Sequence, residues 1–147
     1  MPNWCGNRLV VRGDSASIAA FWEDNKESME DAEDETYLEE LSFKRAVPLL
    51  DNEDRDERGE KWGTSQDAYE VGVSETDGML EYDILTAWSP PTKWLATVAE
   101  KNPALEFRLD YTEPGENFAG NVEYRGGAVV SEQQFAADDE RAIGWYE

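Results

Sequence analysis

Between Ala68 and Tyr111 the apolar residues change their period twice, and the order of those changes leaves few folds open to the chain. Ala68 to Val73 alternates, with Tyr69, Val71 and Val73 on one face of a strand. Thr76-Asp77-Gly78 supplies a turn, and Met79 to Trp88 makes the partner strand of a β-hairpin. Ser89-Pro90-Pro91 then opens a helix, because proline is tolerated only in a first turn. Trp94, Leu95, Val98 and Ala99 form its apolar stripe, and Asn102-Pro103 ends it. Leu105, Phe107, Leu109 and Tyr111 alternate again. A hairpin, a helix and a further strand in this order call for a helix packed across a sheet.

The flanking segments extend the pattern. Arg8 to Arg12 is apolar and β-branched at its centre and stops at Gly13-Asp14, as a buried first strand followed by a turn does. Asp14 or Ser15 can cap a helix whose Ile18, Phe21, Trp22 and Met29 fall near one face, the other face being acidic. From Ser42 to Leu50, Phe43, Ala46 and Val47 lead into Pro48, which predicts a short irregular or edge segment. Residues 51–60 are nearly all charged and read as a loop. A last hairpin is expected across Asn121 to Val130, turning at Gly126-Gly127, with an acidic tail after it. The order is that of a split βαβ sandwich: a mostly antiparallel sheet, two helices on one face, an acidic insertion at about 30–62 and an extra C-terminal hairpin, in one domain over 1–147. Periodicity by itself supports the class α+β.

Several motifs make the expectation narrower. The chain opens Pro2-Asn3-Trp4-Cys5-Gly6-Asn7, carries Trp62-Gly63-Thr64 before an internal strand and Thr86-Ala87-Trp88-Ser89-Pro90-Pro91 before a helix, and has Tyr111, Glu113 and Gly115 followed by Phe118 and Gly120. In these pieces and their order it resembles the YubB-type ferredoxin-like proteins of bacteriophages, prophages and conjugative plasmids. The resemblance implies a ferredoxin-like fold and a mobile-element setting. One departure stands out: that pattern continues Lys-Trp-Asp after Trp-Gly-Thr, whereas Ser65-Gln66-Asp67 follows here.

Charge restricts the partners. The 34 carboxylates against 13 Lys and Arg give a net charge of −21. Glu23, Asp24, Glu27, Glu30, Asp31, Glu33, Asp34, Glu35, Glu39 and Glu40 are opposed only by Lys26 between residues 23 and 40. Such a field repels nucleic acid and anionic lipid and draws in basic partners. Six Trp and 12% aromatic residues are too many for a disordered acidic tail, which lacks the apolar surface to offset chain entropy. No apolar run approaches the roughly 20 residues of a membrane span, and the N-terminus lacks a signal peptide's basic and apolar regions, so a cytoplasmic location is expected.

Chemistry is sparse. There is no His, hence neither the usual general base nor the commonest transition-metal ligand. Cys5 stands without a His partner and reads as a small buried thiol. Asp54-Arg55-Asp56-Glu57-Arg58-Gly59 begins like a calcium loop, but Ser65 stands where the twelfth position needs a bidentate Glu. No catalytic residue, metal site or cofactor is expected. Two readings of the charge compete, a solvating surface and an imitation of duplex phosphates, which present roughly one charge per 1.7 Å of axis. The functional expectation is a non-enzymatic protein that binds a basic, nucleic-acid-binding host or phage protein through Glu23, Asp24, Glu27, Glu30, Asp31, Glu33, Asp34 and Glu39, as an acidic inhibitor. The alternative is a small ligand-binding protein or hydrolase with a cleft lined by Trp4, Asn7, Trp62 and Trp88 together with Glu113. On the first reading Trp4 is a core residue beside Trp88, and the Asn7 amide is bonded to backbone.

Overall fold

The computed structural model describes residues 3–31, 36–51, 53–76 and 78–142, with the backbone alone at 27–31, 36–40 and 70. The elements run β1 (Trp4–Arg12), α1 (Ser15–Asn25), β2 (Lys26–Asp31), β3 (Thr36–Leu41), α2 (Phe43–Ala46), α3 (Arg55–Trp62), β4 (Tyr69–Thr76), β5 (Met79–Ala87), α4 (Thr92–Lys101), β6 (Glu106–Glu113), β7 (Phe118–Arg125) and β8 (Ala128–Phe135). β1 has both edges paired, with β5 on one side and β6 on the other. It lies within a six-stranded sheet of order β4-β5-β1-β6-β7-β8, every neighbour antiparallel. β1 and β4 therefore run the same way with β5 between them, and β5 and β6 run the same way with β1 between them. These are the two interleaved βαβ units of the expected split topology, α1 and α4 being their helices.

Alternation assigns the two faces of the sheet. Cys5, Asn7, Leu9 and Val11 of β1, Leu80, Tyr82 and Ile84 of β5, and Phe107, Leu109 and Tyr111 of β6 are buried beneath Ile18 and Phe21 of α1 and Trp94, Leu95, Val98 and Ala99 of α4. The opposite face carries the intervening charges: across strands Arg8 bonds Asp83 at 3.0 Å and Arg108 bonds Glu123, and along β6 Arg108 bonds Asp110 at 2.9 Å. The β7–β8 turn has positive φ at both Gly126 and Gly127, 59° and 82°, the pair a two-residue hairpin loop favours. Of the expected Thr76-Asp77-Gly78 turn, Asp77 lies outside the described residues.

Three segments differ from the sequence expectation. The first helix stops at Asn25 rather than reaching Met29: the Asn25 side chain donates to the Phe21 carbonyl at 2.8 Å, and Lys26 is already extended. Continuing through Glu27, Glu30 and Asp31 would set carboxylates on the negative end of the helix dipole; the chain instead forms β2, paired only with β3. Residues 42–50 are not an edge strand but carry the short helix α2, whose Phe43 is fully buried. The charged stretch 51–60 is largely helix, not loop. Asp54 caps α3 by accepting from the Asp56 and Glu57 amides at 2.9 and 3.2 Å, acids occupy the first turn, Lys61 the last, and Gly63 closes it at φ 85°. Glu57 accepts from the Leu50 and Asp51 amides and from Lys61, bonds that lower its pKa to about 2.

An aromatic trio docks this inserted segment onto α4. The ring of Phe43 lies 4.8 Å from that of Trp94 and 5.6 Å from that of Trp62. Both indole N–H groups are satisfied by backbone, Trp94 to the Phe43 carbonyl at 3.2 Å and Trp62 to the Val47 carbonyl at 2.9 Å. Trp4, expected in the core beside Trp88, is half-buried on the charged face of the sheet, stacked 5.1 Å from Tyr69. Alternation along β1 puts Trp4 on the face of Arg8, and a bulge between Tyr69 and Gly72 brings Tyr69 to the same face, away from the side it was expected to share with Val71 and Val73. Truncation should report the difference: Trp62→Ala should lose about 3–5 kcal/mol as a core deletion, and Trp4→Ala about 1–2 kcal/mol for a half-buried ring. Chemical denaturation of both variants measures it, and equal losses would contradict the assignment.

Candidate functional site

At the C-terminal end of β5 the chain must leave the sheet, because Pro90 and Pro91 have no N–H to give a ladder. Neighbouring hydroxyls and a distant strand take up its polar groups. Thr64 donates to the Ala87 carbonyl at 2.8 Å, Thr86 to the Ser89 carbonyl at 2.7 Å and Ser89 to the Gly63 carbonyl, while the Trp88 amide donates to the Asn3 carbonyl at 2.8 Å. Three motifs distant in sequence are thus joined: the N-terminal Asn3-Trp4, Trp62-Gly63-Thr64 and Thr86 to Pro91. Gly63 permits the approach, since a Cβ there would lie 3.2–3.3 Å from the Lys93 and Thr92 nitrogens and the Pro90 oxygen.

Trp88 is the unusual residue of this junction. Its φ is 70°, a left-handed conformation that is an outlier for a bulky side chain and costs about 1–3 kcal/mol. Burial does not repay that strain in full, because Trp88 is 41% exposed whereas Trp62 and Trp94 are buried. It lines a cleft of about 480 Å³ whose other wall is one face of α3, with Arg55, Asp56, Gly59 and Glu60, and whose rim includes Lys93. Reading 51–60 as a loop concealed this wall; the i, i+1, i+4, i+5 spacing of these four residues shows a common face only once a helix is assigned.

The other residues of the expected Trp-lined cleft do not join Trp88. Trp62 is in the core. Asn7 is fully buried, donating to the Cys5 carbonyl at 3.0 Å and the Thr86 hydroxyl at 2.9 Å. Glu113 is buried and accepts from the amides of Gly115 and Glu116 at 2.9 and 2.6 Å, capping the β6–β7 turn. Trp4 lies on the far face of the sheet. Of the acidic residues singled out, Glu23 and Asp24 are exposed near the end of α1, Glu23 at 3.2 Å from Lys26. Glu27, Glu30, Asp31 and Glu39 are on β2 and β3 with backbone alone described, and Glu33 and Asp34 lie outside the described residues. Among the described residues no three His, Cys, Asp or Glu side chains group as metal ligands, and no helix is long and apolar enough to cross a membrane.

Residues 52–145 match a family model described as the ferredoxin-like domain in Api92-like protein. The crystal structure of protein api92 from Yersinia pseudotuberculosis shares the fold, with a TM-score of 0.70 at 10% identity over 95% of this chain and 100% of that one. No curated protein matches.

Burial governs the one thiol of the chain. Cys5 is fully enclosed, and loss of hydration pushes its pKa up to about 12 despite a contact from Thr86 that acts the other way. It is therefore protonated and unreactive at neutral pH. Iodoacetamide at pH 8 should leave the native protein unmodified over a period in which the urea-unfolded chain is fully alkylated, as mass spectrometry would read; rapid native labelling would contradict the burial.

Proposed function

The chain belongs to the family of ferredoxin-like domains in Api92-like proteins, and from that premise we propose that it acts without catalysis, by binding a basic protein through its acidic arm. The partner is a nucleic-acid-binding protein of the host or of a competing element, for which the arm stands in for duplex phosphates. The resemblance to YubB-type proteins of phages and plasmids supplies the setting in which such an inhibitor is useful.

One observation carries the reading. Among the described residues β2 and β3 pair only with each other, as a sheet separate from the six-stranded one, and their register sets Glu27 opposite Glu40 and Ser28 opposite Glu39. Between residues 27 and 40 the sequence has Glu27, Glu30, Asp31, Glu33, Asp34, Glu35, Glu39 and Glu40 and no Lys or Arg. Like charges facing one another weaken a strand pair. Solubility does not require that arrangement, since it is served as well by dispersed carboxylates such as Asp51, Glu53 and Glu100. A dense anionic ribbon at a stability cost favours a use in recognition. The second reading, a small-molecule cleft, has Trp88 in its favour, but Asn7, Trp62 and Glu113 are engaged in holding the fold together.

The test is kinetic. Affinity capture from host lysate, with duplex DNA as competitor, supplies the basic partner, and stopped-flow mixing then gives its association rate. Replacing Glu30, Glu33 and Glu39 by Gln should slow association about tenfold at roughly 0.05 M salt and flatten the salt dependence, since charge steers encounter more than it slows dissociation. Equal rates for variant and parent would reject the arm as the binding face.

A further inference from the structure

We propose that Trp88 and the trough beside it on α3 form the anchor pocket for an arginine side chain of the basic partner, an inference that rests on the binding of such a partner. The indole is presented rather than merely left uncovered. Its amide donates to the Asn3 carbonyl, and the carbonyls on either side are held by Thr64, which donates to Ala87, and Thr86, which donates to Ser89, so the backbone that carries the ring is fixed in the left-handed region. Preorganised aromatic side chains of this kind carry much of the binding energy at protein interfaces.

The facing wall is shaped to match. Gly59 stands within α3, where glycine weakens a helix, and nothing lies within 4 Å of where its Cβ would be. Its missing side chain leaves open the part of the cleft whose lining includes Asp56, Glu60 and Trp88. A guanidinium entering there stacks on the indole face and offers its fork of N–H donors to the two carboxylates. Arg55 and Lys93 share the cleft, so its formal charge is balanced and a bare cation gains little from charge alone. That balance selects the planar, weakly hydrated guanidinium over a lysine ammonium, while the net charge of −21 favours a cationic partner at longer range. The occupant opposite in sign is an anionic aromatic ligand such as a nucleotide, taken by Arg55, Lys93 and the same ring.

The intact chain labelled with ¹⁵N distinguishes them through the indole N–H resonance of Trp88, assigned with Trp88→Phe. Titration with a Gly-Arg-Gly amide should shift that resonance saturably, with affinity about tenfold above that of the Gly-Lys-Gly amide, and adenosine monophosphate should leave it unmoved. Gly59→Gln, whose Cβ meets no atom within 4 Å, should abolish the arginine response without lowering the melting midpoint by more than a few degrees. Equal response to the arginine and lysine peptides, a shift by adenosine monophosphate in place of arginine, or retained arginine binding in Gly59→Gln would each overturn the pocket. The variant with Glu30, Glu33 and Glu39 changed to Gln separates the two ideas. Arginine binding that survives in it but is lost in Gly59→Gln supports the pocket; arginine binding lost in it and kept in Gly59→Gln rejects the pocket and leaves the acidic arm as the whole binding face.

Discussion

The register between β1 and β5 is the constraint on which the rest of the molecule depends, and a buried amide holds it. Asn7 reaches from β1 to the Thr86 hydroxyl on β5 at 2.9 Å, inside a core where neither group meets water. Slipping β5 by one residue against β1 would turn Leu80, Tyr82 and Ile84 away from the helices and leave Asn7 and Thr86 unpaired, each at about 1–3 kcal/mol. Because β1 separates β5 from β6, the same register sets both βαβ units. It also decides where β5 ends, and so where Trp88 emerges beside Asn3.

Charge is distributed by the fold more selectively than the net value suggests. On the open face of the sheet Arg8, Arg108 and Arg125 are set among Glu81, Asp83, Asp110, Glu123 and Glu106. Exposed pairs of this kind add little stability, and with five carboxylates to three guanidiniums they leave this patch acidic. The sequence between residues 27 and 40 adds eight carboxylates and no Lys or Arg, and its strands β2 and β3 belong to a sheet of their own.

On the proposed reading the two unusual surfaces divide the work of recognition. An acidic ribbon acts over the screening length and sets how fast a basic partner arrives. A strained, exposed indole acts only at contact and sets how long the partner stays, the part of affinity in which related complexes differ most. Strain at Trp88 and glycine within α3 both lower stability locally, and such costs are expected where binding rather than packing has shaped a position.

Period and turn chemistry made the sheet legible in the sequence. Alternation in β5 and β6, the proline-opened helix α4 and the Gly126-Gly127 turn follow from local rules that tertiary context has no reason to override, whereas the bulge in β4 breaks the alternation expected there. The α+β class and the split order are therefore present in the chain itself, and the burial of Asn7 and Cys5 agrees with their setting in an apolar strand. What was not legible depended on distant partners. α3 read as a loop because its helical character resides in caps and dipole-matched charges rather than an apolar stripe, and its one buried anchor, Trp62, has its place only against Phe43 and Trp94. The candidate site is of that kind. Trp88 could be seen in the sequence as an aromatic at the end of a strand, but its exposure and its facing wall arise only when Asn3, Thr64 and α3 converge on it, because a cleft is a relation between segments that no single segment contains.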